Sequence, residues 1–180
     1  AASDVYKRQY LYLKHSIKQH RTEDKAGGRH MKKETDNLLN SNITEELLKE
    51  VVKFHGHLGP FLILGLKAGL FANKILGKDC FEVYTTIETK PSPPFSCVLD
   101  GIQVATGCTM GKRNIELKNG KSLSITFTKE DKRLKISLKD EVLNDLKNMS
   151  SKEESENKAK ILINRPFHEL FNIEEQALKA

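Results

Sequence analysis

An α+β domain is the fold class expected of this chain, and three features carry that expectation. Two stretches between residues 44 and 76 are apolar at helical spacing, residues 80–88 alternate apolar and polar side chains, and three short alternating segments follow between 114 and 139. The expected order is helix, helix, strand, helix and a three-stranded meander, which builds a mixed or antiparallel sheet with helices packed against it.

The first helix lies in "NITEELLKEVVKFHGH", residues 42–57. Thr44 is placed as its N-cap, with Glu45 and Glu46 in the first turn, where the helix dipole favours acid, and with Ile43 and Leu48 set for a hydrophobic staple. Leu47, Leu48, Val51 and Val52 form its apolar face, and Gly56 or Gly59 stops it. Pro60 suits the first position of a second helix, which runs to about Leu76 before Gly77. Apolar residues surround that helix almost completely, as in a central buried element. Gly65 and Gly69, flanked by Ala68 and Ala72, make a ridge for close packing on another element or on a symmetry mate.

"CFEVYTTIE", residues 80–88, reads as a strand with Phe81, Val83, Thr85 and Ile87 on one face. "KPSPPF" turns the chain into "SCVLDGIQVATG", a helix with Ser96 as N-cap and Gly107 as its stop. "NIELK", "SLSITFT" and "RLKISLK" are the meander strands, joined by a tight hairpin at Asn119-Gly120 and by the polar turn "KEDK". Residues 31–139 thus make the core domain, 140–160 a charged helix or linker, and 161–180 a short helical tail divided by Pro166. Residues 1–30 open on "AASDVYKRQ" without a methionine and are expected to be a non-native or disordered extension ahead of a start at Met31. The alternative is a short helix, because Tyr6, Tyr10, Leu13 and Ile17 fall at helical spacing.

The formal charge of +6 suggests a polyanion partner, but residues 1–30 hold seven Lys/Arg against three Asp/Glu, leaving 23 against 21 for the other residues. A nucleic-acid partner is therefore not expected. Lys67 and Lys74 interrupt the most apolar stretch, so no membrane span is expected either. Cys80, Cys97 and Cys108 are odd in number and form no C-x-x-C pair, which argues against a disulfide framework and for a reducing, cytoplasmic setting.

Three stretches carry chemistry. "FHGHLGP" sets His55 and His57 on either side of Gly56. Residues i and i+2 on a helix diverge, so the two imidazoles share a centre only if the helix has ended between them. Otherwise they decorate a helix C-terminus, which the dipole also favours when they are protonated. Cys97, in the first turn of its helix, is positioned for a stabilised thiolate or for burial as a small apolar side chain. Asp100 and Gln103 follow it, placed to hydrogen-bond a histidine ligand or simply to solvate the helix. "GCTMGKRN" places Thr109 and Lys112 in a glycine-containing loop suited to an anion, without the spacing of a P-loop.

"FHGHLGPFLILGLKAG", "SCVLDGIQVATGCTMGKRNI" and the closing strands together resemble the core domain of the E-subunit family of formylmethanofuran dehydrogenase over residues 44–139. The resemblance implies an α+β core forming an intimate homodimer, with His55, His57, Cys97, Asp100, Gln103, Thr109 and Lys112 lining one cleft. Many members have a cysteine before the proline of the first motif, where this chain has Gly59, and many carry a zinc finger beyond the core, whereas no cysteine follows Cys108 here. The resemblance makes a divalent metal the expected cofactor, held by His55, His57 and Cys97, and zinc is the ion such ligands suit. Asp100, Gln103, Thr109 and Lys112 would then bind or orient a ligand. Two functions follow: an accessory module partnering molybdenum or tungsten oxidoreductase subunits, or a stand-alone metal- or thiol-dependent enzyme acting on a small molecule, with His57 and Cys97 catalytic.

Overall fold

A computed structural model of the chain describes residues 43–177. The expectations for residues 1–30, and for residues 31–42 of the core, lie outside the described residues. The elements are α1 (Glu45–His55), α2 (Pro60–Leu76), β1 (Tyr84–Thr89), α3 (Val98–Thr106), β2 (Ile115–Asn119), β3 (Ser124–Lys129), β4 (Lys132–Leu138), α4 (Asp140–Lys147), α5 (Lys152–Asn164), α6 (Phe167–Leu170) and β5 (Phe171–Ala177). This is the expected α+β class, with a five-stranded mixed sheet in the order β2-β1-β3-β4-β5.

Local signals set the helix ends. The Thr44 side chain accepts a hydrogen bond from the Leu47 amide at 3.2 Å, and Gly56 closes α1 in the left-handed region at φ 95°. Pro60 opens α2, which is buried on nearly every side, including Lys67. The small-residue ridge of α2 is filled from within the chain. A Cβ on Gly65 would stand 2.0 Å from the Val98 carbonyl oxygen, and one on Gly101 of α3 would stand 2.2 Å from that of Leu62. Reciprocal glycines thus let the α2 and α3 backbones touch, and the ridge needs no symmetry mate.

Strand pairing departs from the expected meander in one place. β2 does not pair with β3 but runs parallel to β1, with Thr85 opposite Ile115, and β1 pairs antiparallel with β3. β1, α3 and β2 therefore form a strand-helix-strand crossover, which is how parallel neighbours must be joined. Asn119-Gly120 makes no tight hairpin; it carries the chain over the carboxyl end of β1. The Gly120 amide donates to the Thr89 carbonyl at 3.0 Å, and a Cβ there would lie 2.9 Å from the Glu88 carbonyl carbon. Glycine is required here by close approach, whereas the hairpin signal rests on positive φ.

Val83, Thr85 and Ile87 point inward as expected, while Phe81 is exposed because residues before 84 form a turn on the Asp79 side chain. Ser96 is not an N-cap: Phe95–Cys97 form a 3-10 turn, and Cys97 takes the capping position of α3 without a side-chain bond. Residues 140–160 are two packed helices, α4 burying Val142, Leu143 and Leu146. The tail expected to be helical ends instead in β5, which pairs with β4 from Leu138↔Phe171 to Lys132↔Ala177. Its Glu, Gln and Ala favour helix locally, but the open edge of β4 and the burial of Phe171 outweigh that preference.

Candidate functional site

The carboxyl end of α1 meets the amino end of α3. Gly56 reverses the chain after His55, so the His55 and His57 rings sit together with centroids 4.5 Å apart. This is the geometry that a continuing helix would forbid. His55 Nδ1 lies 2.6 Å from Asp100 Oδ2, with the His55 side chain 8% exposed. A carboxylate only accepts, so Nδ1 is the donor and Nε2 keeps its lone pair. That Nε2 is buried and has no hydrogen-bond partner. A buried polar atom left unpaired is costly, and here it sits on a ring already fixed by a carboxylate.

His57 is exposed, yet desolvation holds its pKa below the usual 6.5, with further lowering from His55 and Lys152. Cys97 is half-buried, and its thiol is raised above the usual 9.0 by burial first and by the Asp100 carboxylate second, against a lowering hydrogen bond from its own backbone. The position at the start of α3 therefore does not make Cys97 the stabilised thiolate that helix geometry alone suggests.

Gln103, Thr109 and Lys112 gather toward the other end of α3 and are occupied with one another's loop. Gln103 Oε1 accepts from the Met110 amide at 3.0 Å. The Lys112 ammonium donates to the Gly107 carbonyl at 2.8 Å and to Thr109 Oγ1 at 3.3 Å, completing the carboxyl end of α3. Cys108 is buried and donates to the Val83 carbonyl. Residues read as one constellation thus fall into two groups, His55, His57, Cys97 and Asp100 at the amino end of α3 and the loop braces at the other. Among the described residues no three His, Cys, Asp or Glu side chains are grouped to hold a metal ion.

Sequence reasoning missed Asn114, which accepts from the Thr109 amide and donates to the Cys80 and Val83 carbonyls, tying the loop to the start of β1. An asparagine at a strand start carries no signal for this. It also missed Lys67, whose ammonium donates to the Ile163 carbonyl at 2.8 Å and whose pKa is lowered to about 8 by burial. There the signal was present, a lone lysine in an otherwise apolar helix.

The family model described as "FmdE, Molybdenum formylmethanofuran dehydrogenase operon" matches residues 54–179, beginning one residue before His55. The chain belongs to the FmdE family. A "Probable S-adenosyl-L-methionine-binding protein" of Archaeoglobus fulgidus is 34% identical over 105 residues, which are 53% of this chain and 27% of that protein. The chain thus spans about a quarter of the length of that curated relative. A crystal structure of an FmdE-like protein of tungsten formylmethanofuran dehydrogenase from Syntrophus aciditrophicus superposes with a TM-score of 0.47 at 18% identity, covering 75% of this chain and 72% of that one. The FmdE match includes both motifs and extends through α4, α5 and α6 into β5.

Proposed function

We propose that this chain is a metal-binding FmdE-family module whose ion is anchored on His55. The observation that carries this reading is the buried, unpartnered Nε2 of an imidazole whose Nδ1 is held 2.6 Å from Asp100. Carboxylates orient metal-bound histidines in this way, fixing the tautomer and strengthening the ligand. The residues present fit one firm ligand position. His57, adjacent and held toward its neutral form, and Cys97 are the further donors in reach of the same helix ends. Cys97 would have to lose its proton to bind, which a divalent ion promotes. A zinc-like ion, when bound, supplies Lewis acidity and lowers the pKa of a coordinated water.

The membership supports an accessory role beside molybdenum or tungsten oxidoreductase subunits, in the cytoplasm, as a homodimer. No helix among the described residues is long and apolar enough to cross a membrane. A dimer would use a surface other than the Gly65–Gly69 ridge, which α3 occupies.

Elemental analysis of untagged protein purified with zinc present tests the reading. Near-stoichiometric metal that falls on His55→Ala supports it, and metal-free wild type, or metal indifferent to His55→Ala, refutes it. The second reading, a stand-alone enzyme with His57 or Cys97 at the chemistry, gains from the incomplete donor set, because three protein ligands or fewer leave a position open. Turnover that survives exhaustive metal removal but not His57→Ala would favour it. S-adenosyl-L-methionine, named for the Archaeoglobus relative, is the first organic ligand to titrate.

A further inference from the structure

A cavity of about 260 Å³ opens at the carboxyl ends of the parallel pair, away from the histidines, none of which lines it. Three segments bring one lysine each to its wall: Lys90 directly after β1, Lys121 in the crossing from β2 to β3, and Lys147 at the last position of α4. Among the described residues no carboxylate lines it. Its apolar part is the Phe95 ring and the buried Leu143 side chain, and Lys90 Nζ lies 5.7 Å from the centre of that ring. Ser122 adds a hydroxyl.

Like charges gathered without a counter-charge repel, and folding alone does not call for them. The location has a chemical logic, because crevices outside the carboxyl ends of parallel strands are where open sheets take ligands. Here the crevice exists because β2 pairs with β1 and the chain must cross over it at Gly120. We propose that this cavity binds a small phosphate monoester with a flat apolar body. The lysines take the phosphate as point charges, and the body rests on Phe95 and Leu143. The volume suits something smaller than a drug-sized ligand, for which pockets start at roughly 300 Å³. The site is independent of metal on His55.

The test is an amide NMR titration of the whole chain with phenyl phosphate, with inorganic phosphate and phenol as comparison probes. Saturable shifts are expected at Lys90, Phe95, Gly120, Lys121, Ser122 and Leu143. Phenyl phosphate should bind at least about tenfold more tightly than either comparison probe. Lys121→Gln and Lys147→Gln, both at exposed positions, should each weaken it about tenfold with an otherwise unchanged spectrum. Lys118→Gln, an exposed lysine on β2 that does not line the cavity, should leave binding as it was. Shifts scattered over surface lysines, equal affinity for inorganic phosphate, or binding indifferent to the two cavity substitutions would each overturn the proposal.

Discussion

Gly101→Ala probes the contact on which the candidate site is built. A Cβ at 101 would lie 2.2 Å from the Leu62 carbonyl oxygen, 2.5 Å from the Leu66 nitrogen and 3.0 Å from the Gly65 carbonyl carbon. All three are backbone atoms of α2, so no rotamer change relieves the clash, and the helices must separate by about an ångström. A radial gap of roughly 0.5–1 Å forfeits a quarter to a half of each dispersion contact along the seam, where Leu62, Leu66 and Ile102 are fully buried. Overpacking costs about 1–3 kcal/mol. The lost contacts add to this, and the gain of about 1 kcal/mol from alanine's helix propensity offsets part of it. A net loss of about 3 kcal/mol is expected, which moves a urea midpoint down by roughly 1–2 M. Gly69→Ala meets side-chain atoms, Ala105 Cβ at 2.6 Å and Thr106 Cγ2 at 3.2 Å, and should cost less, about 1–2 kcal/mol. Gly111→Ala meets nothing closer than 3.9 Å and should fall within about 0.5 kcal/mol of wild type. Urea unfolding followed by circular dichroism ranks the three, and Gly101→Ala as stable as Gly111→Ala would refute backbone contact as the reason for these glycines.

Four further outcomes are expected. Asp100→Asn should weaken zinc binding about 10–100-fold without abolishing it, because it loosens the ring rather than removing the ligand; competition with a chromophoric chelator reads this. Gly59→Cys should tighten zinc, since Gly59 has extended backbone at φ −142° and its Cβ would stand 3.4 Å from His57 Nε2, beside the existing donors; unchanged affinity in the same assay would count against a shared centre. Histidine NMR should show His57 titrating below 6.5. A depressed folded pKa means the unfolded chain binds more protons in that window, so the His57 contribution to stability is present above 6.5 and lost as pH falls through the folded value. Lys67 has the same sign at higher pH: with a folded pKa of about 8 against 10.5, stability should rise between those values, by roughly 3 kcal/mol at most. Lys67→Met should remove that rise in pH-dependent denaturation, and a slope unchanged in the variant would show that Lys67 is not its source.

What was legible in the sequence was local. Thr44, Gly56, Pro60 and Gly107 mark helix ends through capping and backbone conformation, which depend on neighbours within a few residues, and each ends its helix as expected. Strand partners are not local. Asn119-Gly120 looks the same whether the chain folds back on β2 or steps over β1, and only the insertion of β1 between β2 and β3 decides. β5 is a strand because β4 has an edge to offer, which its own composition does not encode. The site follows the same rule. His55 and Asp100 are 45 positions apart, and their residue types announce chemistry without announcing contact. Lys112 and Thr109 are the residues one would choose for an anion loop, and they are equally good at bracing one, as they do here.

The central helix α2 has a consequence for synthesis. Its Lys67 is satisfied by the Ile163 carbonyl, and its Phe71 stacks on Phe167 with ring centres 4.3 Å apart. The most apolar segment of the chain is therefore translated about a hundred residues before its cover, an interval of roughly 5–20 s at ordinary bacterial elongation rates. During that interval α2 has α3 and the first strands to lean on but no lid. Nascent chains halted before residue 163 should be held by chaperones and sensitive to protease, and should become resistant together once residues 163–171 have cleared the ribosome.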